Sequence, residues 1–137
     1  MIVVDASALV KYILHEEGWD RVAFYIREMR PLYSVDHVVK EVGNALWKHS
    51  LKKVVDTTTV LKLFQAFLRL IETEVIVVEP EIKYVQSALE IALQEGITLY
   101  DALYIAQAQR LGAPMITSDR KQAEVATRLG IHVHLIA

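Results

Sequence analysis

Short apolar runs alternate with stretches whose apolar residues recur every three or four positions, and this alternation runs the length of the chain. Ile2-Val3-Val4, closed by Asp5, has the pattern of a buried strand that delivers a carboxylate at its C-terminal end. Ser7 to Leu14 predicts a short helix, stopped by the polar stretch His15-Glu16-Glu17-Gly18. Trp19 to Met29 predicts a second, with Val22, Tyr25, Ile26 and Met29 at helical spacing. Pro31 breaks it, and Leu32-Tyr33-Ser34 reads as a brief strand. Asp36 fits the N-cap of a helix reaching about His49. In Thr57 to Ile71, residues Val60, Leu61, Phe64, Phe67, Leu68 and Ile71 follow one helical face, which Leu63 and Leu70 widen. That breadth is read as core in preference to a subunit contact.

Val75 to Val78 is a β-branched strand, Glu81 to Gln94 a helix before Gly96, and Thr98 to Leu111 a helix before Gly112. Met115 to Thr117 is a strand, Lys121 to Leu129 a helix before Gly130, and Ile131 to Ile136 a closing strand. Strands that alternate with helices in this way predict a three-layer α/β/α sandwich with a mostly parallel central sheet. At 137 residues one domain is expected, with no internal repeat or linker. An apolar fraction of 53% exceeds the average of about 45–50% and points to a buried sheet. The absence of cysteine excludes disulfides, zinc–thiolate sites and thiol catalysis. A net charge of −2 gives no global signal for nucleic acid, which weighs against a passive nucleic-acid binder more than against an enzyme whose metal offsets its acids. The first strand starts at Ile2 with no cleavable leader before it, and no apolar run is long enough to cross a bilayer, so a cytoplasmic protein without membrane contact is expected.

The candidate chemistry lies in four acids: Asp5, Glu41, Asp101 and Asp119. The helix from Thr98 is about 21 Å long and the extended segment from Pro114 to Asp119 about 20 Å. The chain therefore descends a helix and returns along a strand of equal length, placing Asp101 and Asp119 on one edge. Asp5 holds the equivalent place on the first strand, and Glu41 lies early in a helix that follows a short strand, with Asn44 on its face. Open α/β sheets bind ligands at that edge. Carboxylates packed together repel unless protonated or joined by a cation, and all-oxygen donors select Mg²⁺ or Mn²⁺. Such ions bind phosphate oxygens and activate water, so the arrangement points to phosphate chemistry.

Each acid also has an ordinary structural explanation. Asp5 fits a helix cap, and Thr98-x-x-Asp101 and Asp119-x-x-Gln122 have the capping-box pattern. Caps and metal ligands are compatible roles, and the weight rests on the joint pattern. His132 and His134 alternate on the last strand, as expected of a half-exposed edge, while His37 and His49 stand isolated in the sequence. Lys48, Lys52 and Lys53 read as a solvated helix end, with phosphate contact a weaker option. Arg120 and Lys121, next to Asp119, are the stronger candidates for substrate phosphates. Trp47 is expected to pack rather than to stack on a base.

The stretches VVDASALVKYIL, EVGNALWK and TLYDALYIAQAQRLGAPMITSD, with the closing strand region, occur in the order found in the PIN-domain nucleases, particularly the small VapC-type toxins of prokaryotic toxin–antitoxin pairs, which this chain resembles over nearly its whole length. The first motif is weak alone; the Thr-x-x-Asp-Ala-x-Tyr-x-Ala helix followed by a strand ending Thr-Ser-Asp is specific. The resemblance implies that Asp5, Glu41, Asp101 and Asp119 form an acidic metal site, supported by Ser7, Asn44, Thr117 and Ser118. It also implies Mg²⁺- or Mn²⁺-dependent RNA cleavage leaving 5′-phosphate and 3′-hydroxyl ends, a homodimer, and a small antitoxin partner. A PIN nuclease of RNA processing without a toxin role stays open. A haloacid-dehalogenase-like phosphatase wants a second Asp where Ser7 stands, and a receiver domain wants an acid beside Asp5. A non-catalytic scaffold module predicts an incomplete acid set, whereas all four are present.

Overall fold

A computed structural model describes residues 1–52 and 55–137; Lys53, read above as part of a solvated helix end, lies outside the described residues. The elements run β1 (Ile2–Val4), α1 (Ala6–Ile13), α2 (Trp19–Glu28), β2 (Leu32–Val35), α3 (His37–Leu51), α4 (Thr57–Glu72), β3 (Ile76–Glu79), a 3₁₀ turn (Glu81–Lys83), α5 (Val85–Glu95), α6 (Leu99–Leu111), β4 (Met115–Thr117), α7 (Arg120–Arg128) and β5 (Val133–Leu135). The strands form a five-stranded sheet in the order β3-β2-β1-β4-β5, and every pairing is parallel. With helices on its faces this is the three-layer α/β/α sandwich expected from the alternation.

The strand order explains the position of the site. The chain moves outward from β1 through β2 to β3, then returns to the other side of β1 with β4. A crevice therefore opens past the C-terminal ends of β1 and β4, where connections leave in opposite directions. β1 is central and fully buried at Ile2, Val3 and Val4, which accounts for its unbroken apolar run. Helix α6 packs on β1, β2 and α5, and all residues from Ala102 to Ala108 are buried. Its alanines keep that helix slim enough for burial on several sides. Gly96 and Gly112 end α5 and α6 in the left-handed conformation, as their positions predict.

Four expectations require correction. Asp36 does not cap α3: its backbone is already helical, and its side chain accepts a hydrogen bond from the Glu81 N–H at 2.9 Å. The helix expected from Glu81 begins only at Val85. The preceding turn winds tightly so that Lys83 and Tyr84 both reach back to Glu79, each at 2.6 Å. The broad apolar face of α4 is not deep core, since Phe67 alone is buried and Leu61 is 60% exposed. This helix lies on β3 and α3 at the margin of the molecule. A Cβ at Gly43 would stand 3.3 Å from Phe64, so the glycine lets α4 approach α3. Trp47, expected to pack, is instead 53% exposed.

β5 is an edge strand, in keeping with its alternating pattern. His134 lies half-buried there, with its Nδ1 3.0 Å from the Tyr25 hydroxyl. Replacing Phe67 by Ala is expected to lower the free energy of unfolding by about 3–5 kcal/mol, and Leu61→Ala to change it by less than about 0.5 kcal/mol. Urea denaturation of both variants checks this; equal losses would place the whole α4 face in the core.

Candidate functional site

The C-terminal end of β1 leads straight into α1, and Asp5 is the junction. It is 2% exposed. Its Oδ1 accepts the Ala8 N–H at 3.0 Å, so it caps α1. The Ser7 hydroxyl lies 2.8 Å from Oδ1 and 2.9 Å from Oδ2, and the Thr117 hydroxyl, from the end of β4, donates to Oδ2 at 2.5 Å. A carboxylate has roughly four lone-pair sites. Ala8, Ser7 and Thr117 supply three donors, which leaves room for one further partner.

β4 is tied to the same point. The Ser118 N–H donates to the Ser7 hydroxyl at 2.9 Å, and the Asp119 N–H donates to Thr117 Oγ1 at 3.0 Å. Asp119 in turn caps α7 by accepting the Gln122 N–H at 3.0 Å. Gln122 does not return its side chain to Asp119, as a capping box would require. Its Oε1 faces Thr117 Oγ1 at 3.2 Å and its Nε2 donates to the Asp101 carbonyl at 2.8 Å. This buried glutamine therefore links the segments that carry Asp101 and Asp119, and reaches Asp5 through Thr117. Thr98 caps α6 by accepting the Asp101 N–H at 3.2 Å, which leaves the Asp101 carboxylate turned to the crevice. Glu41, in the second turn of α3, accepts a hydrogen bond from the Tyr104 hydroxyl and has His37 Nε2 at 3.6 Å.

Asp5, Glu41, Asp101 and Asp119 all line one cavity of about 810 Å³, together with Ser7, Asn44 and Ser118. Thr117 stands behind Asp5, fully buried. Arg120 and Lys121 do not reach that wall; both are exposed, and Arg120 borders a groove between α7 and β5. Among the described residues the lysines that line the cavity are Lys11, Lys40 and Lys48, with the Lys40 ammonium 3.8 Å from Glu81. His37, Tyr100, Tyr104 and Gln122 also line the cavity; the sequence did not mark them as site residues, His37 reading as isolated and Gln122 as part of a capping box. The i, i+4 spacing of His37 to Glu41, and the position of Tyr100 beside Asp101, were the available signals.

Burial is the main cause that pushes the Asp5 carboxyl up to about 7, against the hydrogen bonds from Thr117, Ala8 and Ser7, with the charge of Asp119 adding to the rise. Burial likewise raises Asp101, helped by the charges of Asp119 and Glu41. Burial and the adjacent Glu41 hold the Tyr104 phenol far above its ordinary range, so it stays a hydrogen-bond donor. These acids thus feel one another, and added positive charge relieves them. Among the described residues no three acidic or histidine side chains stand close enough to enclose an ion. Mg²⁺ keeps several waters and takes only one or two carboxylates directly, so an open ring of oxygen donors fits a hydrated hard cation and offers nothing to a soft one.

An all-parallel sheet whose strand order reverses beside a cavity lined by carboxylates defines a class of α/β protein with its candidate ligand site at that edge. Residues 2–128 match the PIN domain family, and the chain belongs to it. It is 29% identical over 126 residues to a Pyrobaculum aerophilum protein named ribonuclease VapC3, covering 90% of this chain and 92% of that one. It is also 29% identical over 119 residues to exonuclease VapC9 of the same organism, covering 87% and 80% respectively. The crystal structure of PAE2754 from P. aerophilum superposes with a TM-score of 0.70 at 26% identity, over 96% of this chain and 89% of that one. The crystal structure of VapBC2 from Rickettsia felis, bound to a DNA fragment from their promoter, superposes with a TM-score of 0.65 at 14% identity and full coverage of both chains, a likeness of fold alone.

The raised carboxyl of Asp5 has a consequence for stability. Its folded value of about 7 lies above the free value of 3.8, so the folded chain holds the extra proton between them. The stability this contributes is present at low pH and is lost as pH rises through the folded value. In metal-free buffer the melting temperature of the wild type, relative to Asp5→Asn, is expected to fall between 3.8 and about 7. Scanning calorimetry at several pH values measures this, and a difference that stays flat or rises would show that Asp5 is ionised throughout.

Proposed function

We propose that this chain is a Mg²⁺- or Mn²⁺-dependent endoribonuclease and the toxin of a toxin–antitoxin pair. The observation that carries the reading is the convergence of Asp5, Glu41, Asp101 and Asp119 on one cavity at the switch point of a PIN-family sheet. The ribonuclease and exonuclease names of its P. aerophilum relatives support a nuclease. A small antitoxin partner belongs to the same reading, in keeping with the VapC names of those relatives. The homodimer belongs to the same reading, and exposed Ile82, Leu89 and Leu93 supply apolar surface for it. Among the described residues no helix is long and apolar enough to cross a membrane, and action in the cytoplasm belongs to the same reading.

Asp5, Glu41, Asp101 and Asp119 would hold the cation, which supplies a water of lowered pKa and stabilises the leaving oxygen. The chain's own residues prepare the site. Ser7, Thr117 and the Ala8 N–H fix the Asp5 carboxylate in one orientation. Tyr104 holds Glu41, and Gln122 keeps Asp101 and Asp119 in register. Lys11, Lys40 and Lys48 at the cavity wall draw the phosphate backbone toward acids that would otherwise repel it. Attack by Asp5 itself, as in a phosphatase with an aspartyl intermediate, is disfavoured because Ser7 stands where such an enzyme carries its second Asp.

Asp101→Asn and Asp119→Asn are each expected to abolish Mg²⁺- or Mn²⁺-dependent cleavage of single-stranded RNA while leaving the circular-dichroism spectrum unchanged. Products should carry 5′-phosphate ends, and a circular RNA should be opened, which an exonuclease cannot do. Full activity in EDTA or in either variant would count decisively against the reading. Lys48→Ala is expected to weaken RNA binding and to reduce the slope of log affinity against log salt by about one; an unchanged slope would place Lys48 off the RNA path.

A further inference from the structure

The cavity wall contains an aromatic pair that the acids do not explain. Tyr100 immediately precedes Asp101 in the first turn of α6, and its ring stacks on His37 of α3 with centroids 4.8 Å apart and planes 13° apart. The pair spans the mouth of the site between the helices that carry Asp101 and Glu41. Both residues line the cavity. The His37 ring is held from below, its side chain 12% exposed and its Nε2 3.6 Å from Glu41. Tyr100 remains 57% exposed, so the face turned away from His37 is free to receive a planar group. The contrast with Tyr104, one turn along α6, is direct: that ring is 1% exposed and its hydroxyl is committed to Glu41. Trp47 is also exposed, but it is not part of the cavity wall.

The geometry points to Tyr100, backed by His37, as a stacking platform for one unpaired nucleobase of the RNA beside the scissile phosphate. This deepens the nuclease reading and rests on it. A base lying on the Tyr100 ring places its own backbone next to Asp101, the adjoining residue. The lysines of the wall then neutralise the phosphates on either side. Every base presents a π-face, so such a platform selects single-stranded RNA over duplex without selecting sequence. Stacking on His37 fixes the tyrosine ring before the RNA arrives, which lowers the ordering cost of binding. The platform thereby offsets the weak electrostatic attraction of a chain whose net charge is −2.

The test uses the full-length protein in EDTA with a short single-stranded RNA carrying 2-aminopurine, whose fluorescence is quenched by stacking. Wild type and Tyr100→Phe should bind and quench alike, because both keep the ring. Tyr100→Leu keeps apolar bulk without a π-face; it should lose the quench and bind roughly 5- to 150-fold more weakly. With metal restored, Tyr100→Leu should raise KM and leave kcat near the wild-type value, the mark of lost ground-state binding. Quenching and affinity equal to wild type in Tyr100→Leu, or no binding of the probe by any form, would overturn the platform. Tyr100-dependent quenching without RNA cleavage by the wild type would sink the nuclease reading and leave the platform standing. Metal-dependent cleavage with Tyr100-independent binding would do the reverse.

Discussion

A carboxylate placed at the end of a fully buried central strand has to be compensated by donors, by a proton or by a cation, and at Asp5 this requirement organises the neighbouring structure. Its donors come from α1 and β4, so that satisfying one side chain also fixes how the central strands meet their helices. The Ser7 hydroxyl and the Ser118 N–H then close the loop between the two strand ends. Despite these bonds, burial keeps the Asp5 carboxyl raised to about 7. The protein thus holds a group at its sheet edge that gains from any positive charge brought to it.

The other acids are arranged on the same logic, at increasing distance from the core. Asp101 is half-buried and raised by burial, Asp119 and Glu41, while Glu41 is anchored by Tyr104. Each is held by a helix terminus, a hydroxyl or a phenol. Capping and candidate ligation coexist because Asp5 and Asp119 spend one oxygen on a helix N–H and keep other lone pairs for a partner. The lysines share the cavity wall with the acids, so positive charge is concentrated locally at the site and is invisible in a net charge of −2.

Much of this was legible in the residues themselves. The apolar runs at Ile2-Val3-Val4 and Met115-Ile116-Thr117 marked the strands because strands buried on both faces have unbroken apolar patterns. Matching the lengths of α6 and β4 was enough to put Asp101 and Asp119 on one edge. What escaped were features set by tertiary contact. Asp36 has the residue type of a cap, yet its partner is the N–H of Glu81, 45 positions away. The face of α4 is as periodic as a core helix, and only its place at the margin leaves Leu61 in solvent. Arg120 follows Asp119 in sequence, but the first turn of α7 carries it away from the cavity, whereas Lys11, Lys40 and Lys48 are brought to it by α1 and α3. Sequence adjacency was a poor guide to which cations line the cavity, because the first turn of a helix sends successive side chains in different directions.

The central claim is that these carboxylates constitute one divalent-cation site. Its most direct test is titration of the metal-free protein with Mn²⁺, following free Mn²⁺ by electron paramagnetic resonance, for the wild type and for Asp5→Asn. The account predicts saturable binding by the wild type that is largely lost in Asp5→Asn and is competed by Mg²⁺. Binding of equal strength in both proteins, or none in either, would contradict it.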